Sequence, residues 1–466
     1  MAEFEIVVRG GSVVDGTAIP RYTADVAIRD GRIAEVGRVD PARADRVLDA
    51  DGLIVAPGHV DLHTHYDAQI QWDPWCTISG WHGVTTVALG NCGFGFAPVR
   101  PEDRERAMLT MSRTEAIGIE AMRAGMLWDW VTIPQWLDTL DRIPKGVHCL
   151  SYAPTLAILY WVMGVEAAKS RGPTEEERVE IDRLLYEAMD AGACGWSLQR
   201  MGHYTSQTDF DGTPMATDTM DEADLLALGR TLARRGEGFI QITQASERSI
   251  RENQAVVERL AEASGRPVLY NIVQAVNGHP DVHRRQMDWL ADCHQRGLAV
   301  YGQGVTVRQP FHLSLEEWNL FDMARSWNRA LRGSLEEKMA NLRDPAQREA
   351  MVREYDAGHI PLAVLGGPVE DYLIEGALNA PSLDALLGRS VGEVARERGI
   401  HPVECLFDLS LEADLRASFL TQSASGDDPG DVAELLSSPY VMAGVSDGGA
   451  HAKFTGGGAY PTDVLE

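Results

Sequence analysis

The stretch Pro57-Gly58-His59-Val60-Asp61-Leu62-His63-Thr64-His65 decides how this chain is read. Along an extended strand, residues two apart face the same side. His63 and His65, at the end of such a strand, therefore project together. Two neutral imidazoles side by side suit Zn²⁺ or a similar borderline ion. Upstream, residues 4–8, 24–29, 32–36 and 53–55 read as short strands, with Asp15-Gly16 and Asp30-Gly31 as hairpin signals. A small β domain is expected over residues 1–57. Downstream the pattern changes. Apolar runs at 59–63, 85–89, 148–152, 195–197, 239–243, 267–272, 299–305 and 441–445 alternate with segments of helical period at 102–122, 174–191, 222–235, 253–263 and 282–295. Thr174 followed by Glu177 is a capping-box signature.

Eight strands alternating with helices predict an α/β fold, a (β/α)8 TIM-type barrel over residues 58–466. A helical insertion at about 307–440 separates the seventh and eighth strands, where long βα insertions serve as lids or substrate walls. The composition is that of a globular protein, 44% hydrophobic and 24% charged. The chain lacks an apolar run of membrane-spanning length and, at its start, the pattern of a secretory signal, so a cytoplasmic protein without a membrane partner is expected. A net charge of −27 argues against nucleic acid as a partner. The six cysteines show no paired framework and read as free thiols or ligands.

Two further motifs fall at strand ends. Gly90-Asn91-Cys92-Gly93 follows the second strand and puts a thiol, a strong zinc ligand, at the same mouth. Such a cysteine serves equally as a small buried hydrophobe. Ser446-Asp447-Gly448-Gly449-Ala450-His451 follows the last apolar run. A carboxylate there can ligate a metal and take a proton from attacking water, or simply form an Asp-Gly turn.

With these residues in view, the chain resembles the D-aminoacylase (N-acyl-D-amino-acid deacylase) branch of the amidohydrolase superfamily. The resemblance spans nearly the whole chain. It includes Arg29-Asp30-Gly31-Arg32-Ile33 in the N-terminal β unit and Trp81-His82-Gly83-Val84-Thr85-Thr86 before Cys92. It implies that His63 and His65 are metal ligands. It implies that Cys92 is a ligand replacing the carboxylated lysine of other amidohydrolases, and that Asp447 is both ligand and general base. The lysines agree: of Lys145, Lys169, Lys338 and Lys453, none ends a barrel strand at the mouth. The implied reaction is hydrolysis of an amide C–N bond in a small molecule, such as an N-acyl amino acid, by metal-activated water.

The chain departs from the branch in two places. Where the branch has histidines on the fifth and sixth strands, this chain reads Gln241-Ile242-Thr243-Gln244 and Leu269-Tyr270-Asn271-Ile272. Amides are poor transition-metal ligands, so one Zn²⁺ on His63, His65 and Asp447 is expected, with Cys92 either completing the set or standing free and two ions as the alternative. The chain also stops at Glu466, soon after the eighth strand. The resemblance implies a small β-sandwich-like domain whose C-terminal strands are missing from this chain.

Weaker substrate-binding candidates are His203, Tyr204, Tyr270, Asn271, Arg308 and His451, with Trp72, Trp75 and Trp81 as an apolar cluster between the first two strands. His82 reads as a packed structural histidine. Two other readings stay open: a hydrolase or deaminase acting on a cyclic amide or carbamate, and a binding or assembly subunit whose metal site has decayed. A homo-oligomer is compatible with a barrel enzyme of this size.

Overall fold

The apolar run Ile6-Val7-Val8 with Phe4 and Val13 makes Phe4–Val13 a strand that buries Phe4, Val7 and Val13, and this β1 is the centre of the N-terminal sheet. The computed structural model describes residues 2–17, 19–205, 207–244, 249–316, 321–360, 366–451 and 456–465. They form two compact units, Met1–His59 and Val60–Glu466. In the first, β1 pairs antiparallel with β2 (Tyr22–Arg29), which pairs antiparallel with β3 (Arg32–Gly37). On its other edge β1 runs parallel to β4 (Ala44–Asp49) and β5 (Ile54–Val55). Phe4, Val7, Ala27 and Val39 make the small core. Among the described residues these strands form one five-stranded sheet. Its strands β3 and β4 are almost wholly exposed, and Ile33, Val36, Val47 and Leu48 on them are apolar.

The second unit alternates strands with helices. In chain order its strands are β6 (His59–Asp61), β7 (His63–Thr64), β8 (Val84–Leu89), β9 (His148–Ser151), β10 (Ala153–Pro154), β11 (Gly195–Gln199), β12 (Phe239–Thr243), β13 (Val268–Gln274) and β14 (Val300–Val305). The three short strands β15 (His312–Leu313), β16 (Leu373–Gly376) and β17 (Ser418–Leu420) come next. The last two are β18 (Val441–Ala443) and β19 (Val445–Gly448). The parallel ladder β10-β11-β12-β13-β14-β18 is the largest sheet, flanked by β6-β8-β9 and β19-β7. Single backbone bonds cross the interruptions, from Leu62 N to Gly444 O (3.0 Å) and from Tyr152 N to Leu89 O (3.0 Å). The fold is therefore α/β, and among the described residues the strands outside the β15-β17-β16 sheet fall into three sheets rather than one closed ring.

Strands buried on both faces hold the main core, with Trp196, Leu198, Ile240, Ile242, Val268 and Val300 fully buried or nearly so. Between β14 and β18 the chain forms its own cluster around Trp327, Phe321, Phe407 and Phe419. This insertion is not purely helical, because β15, β16 and β17 pair antiparallel within it. Its last helix, Pro429–Leu436, instead packs Leu435 into the main core. The helix expected over 102–122 also divides. Arg104–Glu115 ends where Ala116 turns left-handed (φ 48°), and Ile119–Gly125 follows separately.

The helix Glu175–Asp190 opens with the capping box read from the sequence. Thr174 Oγ1 accepts from Glu177 N, while a Glu177 carboxylate oxygen accepts from Thr174 N. Replacing Thr174→Ala removes one of these bonds and is expected to lower stability by about 1 kcal/mol, read from the urea midpoint. An unchanged midpoint would mean the first turn is held by packing alone.

Candidate metal centre

The strand alternation at β7 sends His63 and His65 inward and Thr64 outward, where its hydroxyl donates to Ala88 O (2.7 Å) on β8. The two imidazole rings stand edge to face, 5.3 Å apart, and both are buried. Asp61 lies beneath them, fully buried. Its carboxylate accepts from the backbone N–H groups of His63 and Ser446, both at 3.4 Å, so it ties the first strand to the last. Burial pushes its carboxyl up to about 7.

Cys92 sits in the turn after β8 with φ 59°, a left-handed conformation uncommon for a side chain larger than glycine. That turn aims its sulfur 3.4 Å from His63 Nε2. Asp447, on β19 and also left-handed (φ 53°), brings Oδ1 to 3.6 Å from His63 Nε2 and 3.7 Å from His65 Nε2. Gly449 makes this approach possible. It has φ +90°, and a Cβ there would lie 2.7 Å from the His65 backbone.

A chain of amides orients the donors. Gln303 Nε2 donates to Leu62 O (3.1 Å), which leaves Oε1 facing His63 Nδ1 at 3.1 Å. Nδ1 therefore carries the proton and Nε2 presents its lone pair to the cluster. Cys92 N donates to Gln241 Oε1 (2.8 Å), so the Gln241 NH₂ group faces Thr243 Oγ1 (2.8 Å). Asn271 Nδ2 also donates to Thr243 Oγ1 (3.2 Å). With two donors converging on its oxygen, the Thr243 hydroxyl directs its hydrogen at Cys92 Sγ, 3.2 Å away. Burial pushes the Cys92 thiol well up, so its ionisation calls for a cation beside it.

The Nε2 atoms of two imidazoles, a sulfur and a carboxylate oxygen thus converge with neighbouring separations of 3.4–3.7 Å. Ligands on one tetrahedral ion, bonded at roughly 2.0–2.3 Å, stand roughly 3.3–3.8 Å apart. The ligand atoms of His63, His65 and Cys92 all lie within 4.8 Å of one another, and Asp447 adjoins them at the two imidazoles, so the nearest separations suit such an ion. A second grouping, His283 with Asp431 and Glu434, differs because Arg284 already bonds both carboxylates.

The amidohydrolase family model matches residues 46–456. The chain belongs to the amidohydrolase family. This amidohydrolase is 29% identical to an uncharacterised protein of Mycobacterium tuberculosis over 97% of its own length and 74% of that protein. It is 32% identical to an N-acyl-D-glutamate deacylase of Alcaligenes xylosoxydans xylosoxydans, over 45% of this chain and 41% of the deacylase. Its fold is similar to that of a D-aminoacylase crystal structure (TM-score 0.61, 21% identity, covering 96% of this chain and 77% of that one). It is also similar to that of an N-acyl-D-glutamate deacylase from Bordetella bronchiseptica complexed with zinc and a phosphonate inhibitor (TM-score 0.59, 20% identity, 95% and 76%). These likenesses agree with the resemblance to the D-aminoacylase branch that the motifs indicated.

Of the sequence candidates in this amidohydrolase, the structure brings together His63, His65, Cys92, Asp447, Asn271 and His451. His451 Nε2 lies 3.0 Å from the carboxylate of Glu115. The others lie elsewhere. Tyr270 falls on the opposite face of β13 from Asn271 and packs its ring on Trp289. Tyr204 is half exposed and holds Arg325, His203 lies exposed in a groove with Lys169 and Asp224, and Arg308 pairs with Asp427 on the surface. Trp75 packs against Gly146, just before β9, and Trp81 stands 82% exposed before β8. Both therefore sit at the N-terminal ends of strands, away from the mouth. His82 is bonded to Thr462 (2.9 Å). Lys145, Lys169 and Lys338 are engaged outside the cluster, and Lys453 lies outside the described residues.

Sequence reasoning missed Glu115 and Gln303. Gln303 carried a readable signal, a polar side chain inside the apolar run of β14. Glu115 carried none, being one acid among many on a charged helix. Gly449→Ala forces a methyl group into a left-handed position against the His65 backbone. It is expected to cost about 1–3 kcal/mol in chemical denaturation. Wild-type stability in that variant would show that the Asp447 loop yields without strain.

Proposed function

We propose that this amidohydrolase is a metal-dependent hydrolase that cleaves the amide bond of an N-acyl amino acid. The observation that carries the reading is the convergence of buried His63, His65 and Cys92 with the partly exposed Asp447, with His63 Nε2 held as a bare lone pair by Gln303. We read the eight strand positions of the second unit as a (β/α)8 barrel and the first unit as an appended small β domain. The similar fold of the D-aminoacylases supports both. On this reading the four donors hold one Zn²⁺ or similar ion. A D-aminoacylase has been described in terms of one-metal activation and second-metal attenuation, which agrees with a single working ion here.

Bound there, the ion supplies Lewis-acid polarisation of the amide carbonyl and of water. The protein's own groups do the rest. Asp447, partly open to solvent, takes the proton from the attacking water and returns it to the leaving amine. Gln303 keeps His63 in one tautomer, and Thr243 stabilises sulfur charge on Cys92. The Gly93–Gly95 turn beside Cys92 borders a pocket lined by Met111, Leu156, Tyr160 and Trp161, suited to an apolar acyl group.

Protein purified without chelators is expected to contain about one transition-metal ion per chain by plasma mass spectrometry. A content near zero that added Zn²⁺ does not restore would overturn the reading. Asp447→Asn is expected to retain the ion while turnover of N-acyl-D-amino acids falls about 10²–10⁴-fold. Hydrolysis of cyclic amides but not of N-acyl amino acids would keep the metal chemistry and change the substrate.

A further inference from the structure

Glu115 is the last residue of a 12-residue helix and is 1% exposed. Both features are costly for a carboxylate. Burial removes its water, and the carbonyl end of a helix carries partial negative charge that repels it. Nature's usual partner for such a position is a cation. Yet no lysine or arginine touches Glu115 among the described residues; its ion-pair neighbours are His65 and His451.

The geometry points further. Glu115 Oε2 lies 3.6 Å from His65 Nε2, the same separation that Asp447 Oδ1 keeps from His63 Nε2. Glu115 thus stands at ligand spacing from His65, as Asp447 does from both imidazoles. Both of its oxygens are buried with no hydrogen-bond partner, Oε2 having only its ion-pair neighbours, and Nδ1 of His65 is buried and unpartnered as well. A buried acceptor left open in this way is expensive unless something outside the protein fills it. On the far side of Cys92, Gln241, Thr243 and Asn271 bond to one another and to Cys92, so that side offers neutral amides rather than ligands. A further anionic donor has to come from the side of His65.

The backbone shows how the residue is held there. Ala116 turns left-handed and ends the helix at Glu115, and His451 N donates to Glu115 O at 2.7 Å. The loop that carries Asp447 is thereby fastened to the helix that carries Glu115.

We propose that Glu115 is an additional carboxylate ligand of the metal centre, binding on the His65 side, with His451, whose Nε2 lies 3.0 Å from that carboxylate, as a positioning residue. The inference rests on the metal-centre reading above.

The test uses the full chain reconstituted with Co²⁺, whose spectrum reports ligands directly. The sulfur-to-cobalt charge-transfer band reports Cys92, and the intensity of the visible d–d bands reports coordination number, falling as ligands are added to a tetrahedral ion. Glu115→Gln, nearly isosteric, is expected to weaken Co²⁺ binding at least about tenfold in a chelator competition. It should intensify the d–d bands while leaving the sulfur band in place. Glu115→Asp, which keeps the charge on a shorter arm, is expected to fall between the two and serves if the Gln variant does not fold. Wild-type affinity and d–d bands in whichever variant folds would overturn the proposal while leaving the centre intact. A wild-type chain that takes up no Co²⁺ and shows no sulfur band would overturn the metal-centre reading, and this inference with it.

Discussion

Desolvation is the constraint on which the rest of this structure depends. A thiol, imidazoles and carboxylates are drawn out of water at the C-terminal ends of the strands. Each would be costly there alone. The fold answers with oriented partners: Gln303 for His63, Thr243 for Cys92, and backbone N–H groups for Asp61. These partners fix which atoms remain open toward the centre, and those are the atoms with lone pairs a metal ion can use.

Positioning is achieved with strained backbone as much as with side chains. Cys92, Asp447 and His451 all adopt left-handed conformations, at φ 59°, 53° and 49°. Each costs on the order of 1 kcal/mol or more and survives only because the surroundings over-determine it. The surroundings here are parallel strands buried on both faces, whose packing leaves the loops above them little room. Rigid strands below and strained turns above is a division of labour suited to holding small donors within a few tenths of an ångström.

The chemistry on offer follows from the amides that occupy the fifth and sixth strand positions. Gln241 and Asn271 do not compete for a cation; they build a hydrogen-bond frame around Thr243 and Cys92. That frame makes the centre asymmetric, with neutral donors on one side and carboxylates on the other.

The sequence by itself determined the elements and the nearest donors. Period-2 alternation set His63 and His65 on one face, apolar runs marked the parallel strands, and Thr174 with Glu177 announced a helix start; all are local consequences of backbone geometry. It also determined, through Gly90-Asn91-Cys92-Gly93 and Ser446-Asp447-Gly448-Gly449, that a thiol and a carboxylate sit at strand ends. Tertiary structure alone decided the rest. Tyr270 and Asn271 are neighbours in sequence, but only strand register says which faces the centre. Glu115 lies 50 positions from His65 in the chain, and only the left-handed break at Ala116 and the path of its helix carry it to that imidazole. Whether a β unit forms one sheet or two depends on which faces find partners to cover them, and that is a property of packing, not of any one strand.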